Sequence, residues 1–280
     1  MVLFKPSWQS RDTDRALKAV RSMTNQTTLA KVVRDNDARL DIRLAAVDKL
    51  EDQSVLVELV ESIDAMDDRG DLWRVAAAAF EKIDSQDVLR RFATNAQASC
   101  GRRIAAAERI TDKEQAQRVF TVLARDPEIH VWCRLDAAKA IEDKALRQEM
   151  LVNLARTPDP YSAQVRVDAA CSLDDAALAQ AELAEIATTG DAHVGMLAIS
   201  KLTDQRVLLD VVRSEGSPIG VRKAAIHAMT DVSLLTAIID GNPDEYSYTW
   251  QQEVEDQFGR YDEMVHSDLR DDARRRLTYL

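Results

Sequence analysis

The sequence predicts an all-α protein, an α-solenoid built from about eight antiparallel helix pairs stacked as repeats. Three observations predict it. Alanine recurs in nine short segments, as Ala19, Ala46, Ala79, Ala106, Ala137, Ala169, Ala198, Ala225 and Ala273. Four residues after each stands an apolar anchor: Met23, Leu50, Ile83, Ile110, Ile141, Leu173, Leu202, Met229 and Leu277. The anchors are 27, 33, 27, 31, 32, 29, 27 and 48 residues apart; a period near thirty marks supersecondary units that stack on one another.

A lone helix is expected near Asp12–Met23, closing residues 1–23 as an N-terminal cap. Seven helix pairs follow over residues 24–229. In the second unit, helix A is expected near Gln53–Ser62, a loop at Ala65–Asp71 and helix B at Leu72–Ile83. The fourth unit reads as helix A at Lys113–Arg125, a turn at Asp126–Glu128 and helix B at Val131–Ile141. Glycine and proline are sparse and fall mostly between helices, as at Gly70, Pro127, Pro158, Gly216 and Pro218. Residues 230–280 form an interrupted eighth pair, with helix A near Val232–Ile239, an insertion over residues 241–267 and helix B at Leu269–Leu277. The whole chain, 1–280, is then one repeat domain sharing a continuous core. No β pattern of alternating residues is expected anywhere, and a short helix near Tyr248–Phe258 is expected to cap the end of the stack.

Two residues after each of the first eight anchors comes Asn25, Asp52, Ser85, Asp112, Asp143, Asp175, Asp204 or Asp231. All are N-cap types whose side chains accept from free N–H groups of the next helix A, which explains the row without invoking metal. At ~100° per residue, helix B places positions −8, −4, −3 and 0 from the anchor on one apolar face. The small alanine at −4 lets two helices approach closely. Position −7 lies on the same face and is arginine in Arg43, Arg103, Arg134, Arg166, Arg222 and Arg270. A half-buried arginine needs a partner, and acidic residues of the preceding turn (Asp37, Glu128, Asp159, Glu215) are the expected ones. Arg43, Arg103, Arg134, Arg166 and Arg222 thus read as a structural ladder.

This helix B pattern resembles the HEAT repeat family. The resemblance rests on Ile42-Arg43-Leu44-Ala45-Ala46, Val165-Arg166-Val167-Asp168-Ala169 and Val221-Arg222-Lys223-Ala224-Ala225. It covers roughly residues 12–240 and resumes at 268–280. It departs at Ala76 and Gly195, which stand where arginine is expected. The opening Phe4-Lys5-Pro6-Ser7-Trp8-Gln9 is similar to the start of some bacterial HEAT-repeat proteins. The resemblance implies a superhelix whose usual work is to bind other macromolecules, with helix B lining its concave side.

The 280 residues carry a net charge of −11, which disfavours a protein built to neutralise phosphates. Residues 1–40 are locally basic, with eight Lys or Arg against four Asp. No apolar run approaches the ~18 residues of a membrane span, and the N-terminus does not read as a secretory signal. Three scattered cysteines, Cys100, Cys133 and Cys171, fit free thiols in a reducing compartment, so a cytoplasmic location is expected.

The function these features support is a non-enzymatic protein-interaction scaffold or adaptor. Two regions are candidates for binding a protein or peptide partner, one of basic character fitting best. The first is the outer row of helix B in units four to seven: Trp132, Asp136, Gln164, Asp168, His193 and His227, where an aromatic ring flanked by carboxylates can receive a cation. The second is the aromatic insertion, with Tyr246, Tyr248, Trp250, Phe258 and Tyr261. The first alternative is a DNA-binding or alkylbase-excising enzyme of the resembled class, for which Trp132 and Asp136 are the suggestive pair. The second is a regulatory or chaperone subunit of a larger enzyme. His130 and Cys133 stand at i, i+3, but two ligands make no zinc site, and no cofactor is expected. The oligomeric state is left open.

Overall fold

The structure, a computed structural model, describes residues 6–64, 71–157, 163–256 and 259–280. The chain divides into two compact units, Met1–Leu123 and Ala124–Leu280, with the division inside one helix.

The first unit opens with a 3₁₀ turn at Ser7–Gln9, whose Trp8 is buried, and α1 at Thr13–Ser22. Helix pairs follow: α2 (Gln26–Arg34) with α3 (Leu40–Asp48), α4 (Gln53–Asp64) with α5 (Asp71–Glu81), and α6 (Gln86–Thr94) with α7 (Cys100–Glu108). The helix α8, Lys113–Arg125, runs to the end of this unit. Besides packing within each pair, α1 packs on α3 and α3 on α5.

The second unit contains α9 (Val131–Lys139), α10 (Lys144–Arg156), α11 (Ala163–Cys171), α12 (Ala176–Thr189), α13 (Ala192–Ile199), α14 (Gln205–Arg213) and α15 (Ile219–Ala228). The pairs are α10 with α11, α12 with α13, and α14 with α15. The second helices also contact in sequence, α9 on α11, α11 on α13, and α13 on α15. Then come α16 (Val232–Ile239), the short α17 (Pro243–Tyr246), strands β1 (Ser247–Asp256) and β2 (Gly259–Asp268), and α18 (Leu269–Thr278). Helix α18 packs on both α16 and α15, so it takes the place of a second helix in spite of the insertion.

The expected short helix near Tyr248–Phe258 is corrected. The segment pairs as an antiparallel hairpin, from Ser247 opposite Asp268 to Asp256 opposite Gly259. The physical reason is in the sequence: Tyr248, Trp250 and Val254 recur with period two, as do Tyr261 and Val265, and aromatic and β-branched residues favour strands.

The repeat alanines mark the packed face. Eight of the nine are fully buried; Ala19, in the first helix, is half-buried. Seven of the eight row residues do cap helix A. Asn25 accepts from Thr28 N, Asp143 from Ala145 and Leu146 N, and Asp231 from Ser233 and Leu234 N. Ser85 is the exception and makes no side-chain cap bond. Ser99, His130 and Asp191 cap second helices.

The arginines at −7 share one contact. Arg43 Nε donates to Val33 O at 2.8 Å, Arg103 to Ala93 O at 3.3 Å, Arg134 to Ala124 O at 3.3 Å, Arg166 to Ala155 O at 2.9 Å and Arg222 to Val212 O at 2.7 Å. Each acceptor is the next-to-last residue of the preceding first helix. The last four carbonyls of a helix lack internal partners, and a cation there also opposes the negative end of the helix dipole. Asp37 and Glu128 form no bond to Arg43 and Arg134 among the described residues, and Asp159 lies outside them. For Arg43 and Arg134 the expected turn acids are therefore corrected to backbone carbonyls. Arg270 differs again, with Nε on the carboxylate of its N-cap Asp268. At Gly195 a Cβ would stand 3.0 Å from Ala187 O and 2.6 Å from Val221 Cγ2, so close helix approach occupies the place of that arginine.

A second row ties four of the first helices to the far ends of their own units. Gln26 donates to Lys49 O and accepts from Glu51 N; Gln53 does so with Lys82 O and Asp84 N, and Gln86 with Arg109 O and Thr111 N. Gln205 accepts from Thr230 N and Asp231 N. Each of these four glutamines directly follows an N-cap position, and that adjacency is their sequence signal.

Candidate functional site

The second helices α9, α11, α13 and α15 lie in contact order in the second unit, so their outward residues form one continuous surface. Trp132 begins the row on the first turn of α9 and remains 39% exposed. Asp136 is exposed one turn further on. On α11, Gln164 Nε2 donates to Asp168 Oδ1 at 2.7 Å, an i, i+4 bond along the helix that fixes the half-buried carboxylate. His193 and His227 are exposed on α13 and α15. The sequence row omitted Met196, which is 46% exposed on α13. It lies six residues before its anchor, at the margin of the same helical face.

Cys171, the last residue of α11, is an exposed free thiol. Burial raises its pKa above the ordinary thiol value; Lys201 and Lys139 oppose the shift and Asp168 reinforces it. A raised pKa leaves the protonated form at neutral pH, so the thiol is not an activated nucleophile. The expectation of three free thiols is corrected: in the first unit Cys100 is disulfide-bonded, as is Cys133 in the second. His130 Nδ1 accepts from Trp132 N at 3.4 Å and serves as the cap of α9. Among the described residues no group of three or more His, Cys, Asp or Glu is placed to hold a metal ion. No helix of the described residues is long and apolar enough to cross a membrane.

The insertion candidates separate into three kinds. Tyr246 is 0% exposed and is corrected from a binding residue to a core one. Its hydroxyl accepts from Arg213 Nε at 3.3 Å, and Gly241 packs so closely beneath its ring that a Cβ there would stand 2.5 Å from Cε2. Arg222 Nη2 donates to Glu245 O at 3.0 Å, so a ladder arginine also holds the base of the insertion. Tyr248 and Trp250 lie at alternate positions of β1, opposite Ser267 and Val265, and Tyr261 lies on β2 opposite Val254. Phe258 lies outside the described residues.

No family model, curated protein or solved structure matches this chain.

Proposed function

We propose that this protein is a HEAT-like α-solenoid that acts as a non-enzymatic scaffold, binding a protein or peptide partner along the outer row of α9, α11, α13 and α15. One observation carries the reading. Trp132 and Met196 stay partly exposed, at 39% and 46%, on a surface whose neighbours are Asp136, Asp168 and the two histidines. Large apolar side chains in a polar rim are the usual anatomy of a recognition surface. The carboxylates favour a partner with basic residues, which Trp132 can also receive on its ring face.

The test is the double substitution Asp136→Lys and Asp168→Lys. Affinity capture from the native cell, read by mass spectrometry, should lose a protein that the parent chain retains, while far-UV circular dichroism is unchanged. Full retention of every captured protein by the folded double variant would sink the reading.

A further inference from the structure

Two grooves occur at equivalent places in the repeat, and their chemistry differs. One, of 540 Å³, lies in the second unit over the ladder residue Arg166 and the last residues of α10, Ala155 and Arg156. Its other wall is α12. The second groove, of 300 Å³, lies in the first unit over Arg103 and the last residues of α6, Ala93 and Thr94, with α8 as its wall. Counted from the helix caps Asp175 and Asp112, both walls use positions three, six, seven and ten: Leu178, Ala181, Glu182 and Glu185 in one, Gln115, Arg118, Val119 and Val122 in the other.

In the α12 groove the charges close on themselves. Glu182 is 2% exposed and accepts from Arg156 through both oxygens, with Nε at 3.0 Å. In the α8 groove the positions of Glu182 and Glu185 are Val119 and Val122, and arginine replaces alanine at Arg118. That lining holds two guanidinium groups and no carboxylate. Arg103 spends its Nε on Ala93 O. Arg118 is 71% exposed, and among the described residues its ion pair is with Glu114, 81% exposed, a kind of surface pair that contributes little. Val122, 57% exposed, forms an apolar lip. The surrounding stretch, residues 90–125, has eight Lys or Arg against three Asp or Glu in a chain whose net charge is −11.

We propose that the groove between α6 and α8 binds an acidic peptide segment. One carboxylate takes the place that Glu182 fills in the sister groove, against Arg103 and Arg118, and a neighbouring aliphatic side chain rests on Val119 and Val122. Arginine presents paired donors that match a carboxylate. A nucleic acid is the poorer occupant, because the exposed apolar lip of Val122 matches an aliphatic side chain and not a sugar-phosphate backbone. The site is distinct from the outer row of the second unit, and its test does not depend on that reading.

The experiment measures fluorescence anisotropy of a labelled peptide of alternating leucine and glutamate against the full chain at low ionic strength. A leucine–lysine peptide and a DNA duplex are the other probes. The parent chain should bind the leucine–glutamate peptide and not the duplex; the leucine–lysine peptide reports the outer row, and its binding should fall with Asp136→Lys and Asp168→Lys rather than with Val122→Asp. Arg118→Glu and Val122→Asp, both on exposed positions, should each weaken that binding by about tenfold or more while helical circular dichroism is retained. Glu114→Gln, which frees Arg118, should tighten it. No binding by the parent chain, binding by both folded variants as tight as the parent's, or displacement of the peptide by duplex DNA would each overturn the proposal.

Discussion

Arg276 Nε donates to the carbonyl of Met229 at 2.9 Å, although 47 residues separate them. Met229 caps the end of α15, and Arg276 lies in the last turn of α18. The same kind of bond joins earlier neighbours: Lys49 Nζ reaches Arg21 O at 2.7 Å, and Arg109 Nη1 reaches Phe80 O at 2.7 Å. In each case a cation one residue before an anchor reaches the closing turn of the preceding second helix, where carbonyls are free and the helix dipole is negative. The insertion is therefore spliced into the repeat without breaking its stacking rule. Arg276→Ala should lower stability by about 1–2 kcal/mol. Arg274→Ala, which removes the exposed pair with Asp271 and a weaker attraction to Asp268, should change it by less than about 0.5 kcal/mol. Thermal midpoints of the two variants, compared with the parent, check this.

Glycine substitutions should separate in sign. Gly195→Ala puts a methyl group 2.6 Å from Val221 Cγ2 and 3.0 Å from Ala187 O. Neither neighbour is the end of a long flexible chain, so the helices must part, at a cost of about 1–3 kcal/mol. Gly101 lies in α7 with nothing within 4 Å of the added carbon. Gly101→Ala should stabilise by about 0.5–1 kcal/mol through helix propensity. Urea denaturation of both variants gives the comparison.

Tyr246 holds the base of the hairpin by burial and by its hydroxyl. Tyr246→Phe removes the bond from Arg213 Nε and should cost about 0.5–1.5 kcal/mol. Tyr246→Ala also empties a fully buried site and should cost about 3–5 kcal/mol. Hydrogen exchange should then show faster opening of α17 and the first turn of α18, which pack together, than of α10 and α11. Uniform exchange in all four helices would contradict this anchoring role.

The pair at the start of α18 sets an acid limit. The Arg270 side chain, with help from its backbone N–H, holds the Asp268 carboxyl below the ordinary carboxylate range, against an opposing effect of burial. A pKa depressed in the folded state contributes stability that is present above the unfolded value, ~3.9 for aspartate, and is lost as pH falls through the folded value. Asp268→Asn keeps an oxygen to cap Arg270 N but removes the charge. The thermal midpoint of the variant should therefore fall less steeply than the parent's below about pH 4. An identical acid slope in the two proteins would refute the linkage.

The interrupted eighth pair shows how much of the candidate sites was legible. Its helices, Val232–Ile239 and Leu269–Thr278, follow from the same alanine and anchor spacing as the rest. The outer row was legible as far as Trp132, Asp136, Asp168 and the histidines, because helix geometry alone places them opposite the core. Met196 escaped because it lies at the margin of that face. The α8 groove escaped for another reason: Arg118 and Val122 read as ordinary surface until Glu182 and Glu185 show what the same positions hold elsewhere.

What the amino-acid sequence determined by itself is local and periodic: the number of units, the ends of most helices, and the buried face marked by Ala46 through Ala273. Those properties depend on spacing within one turn or one pair, where i, i+3 and i+4 neighbours and N-caps act. Tertiary structure decided the partners across longer separations. It sent Arg43 to a carbonyl rather than to Asp37, buried Tyr246 against Gly241 and Arg213, and paired Ser247 with Asp268. These contacts join groups whose approach no local spacing fixes, so they were settled only when the elements packed together.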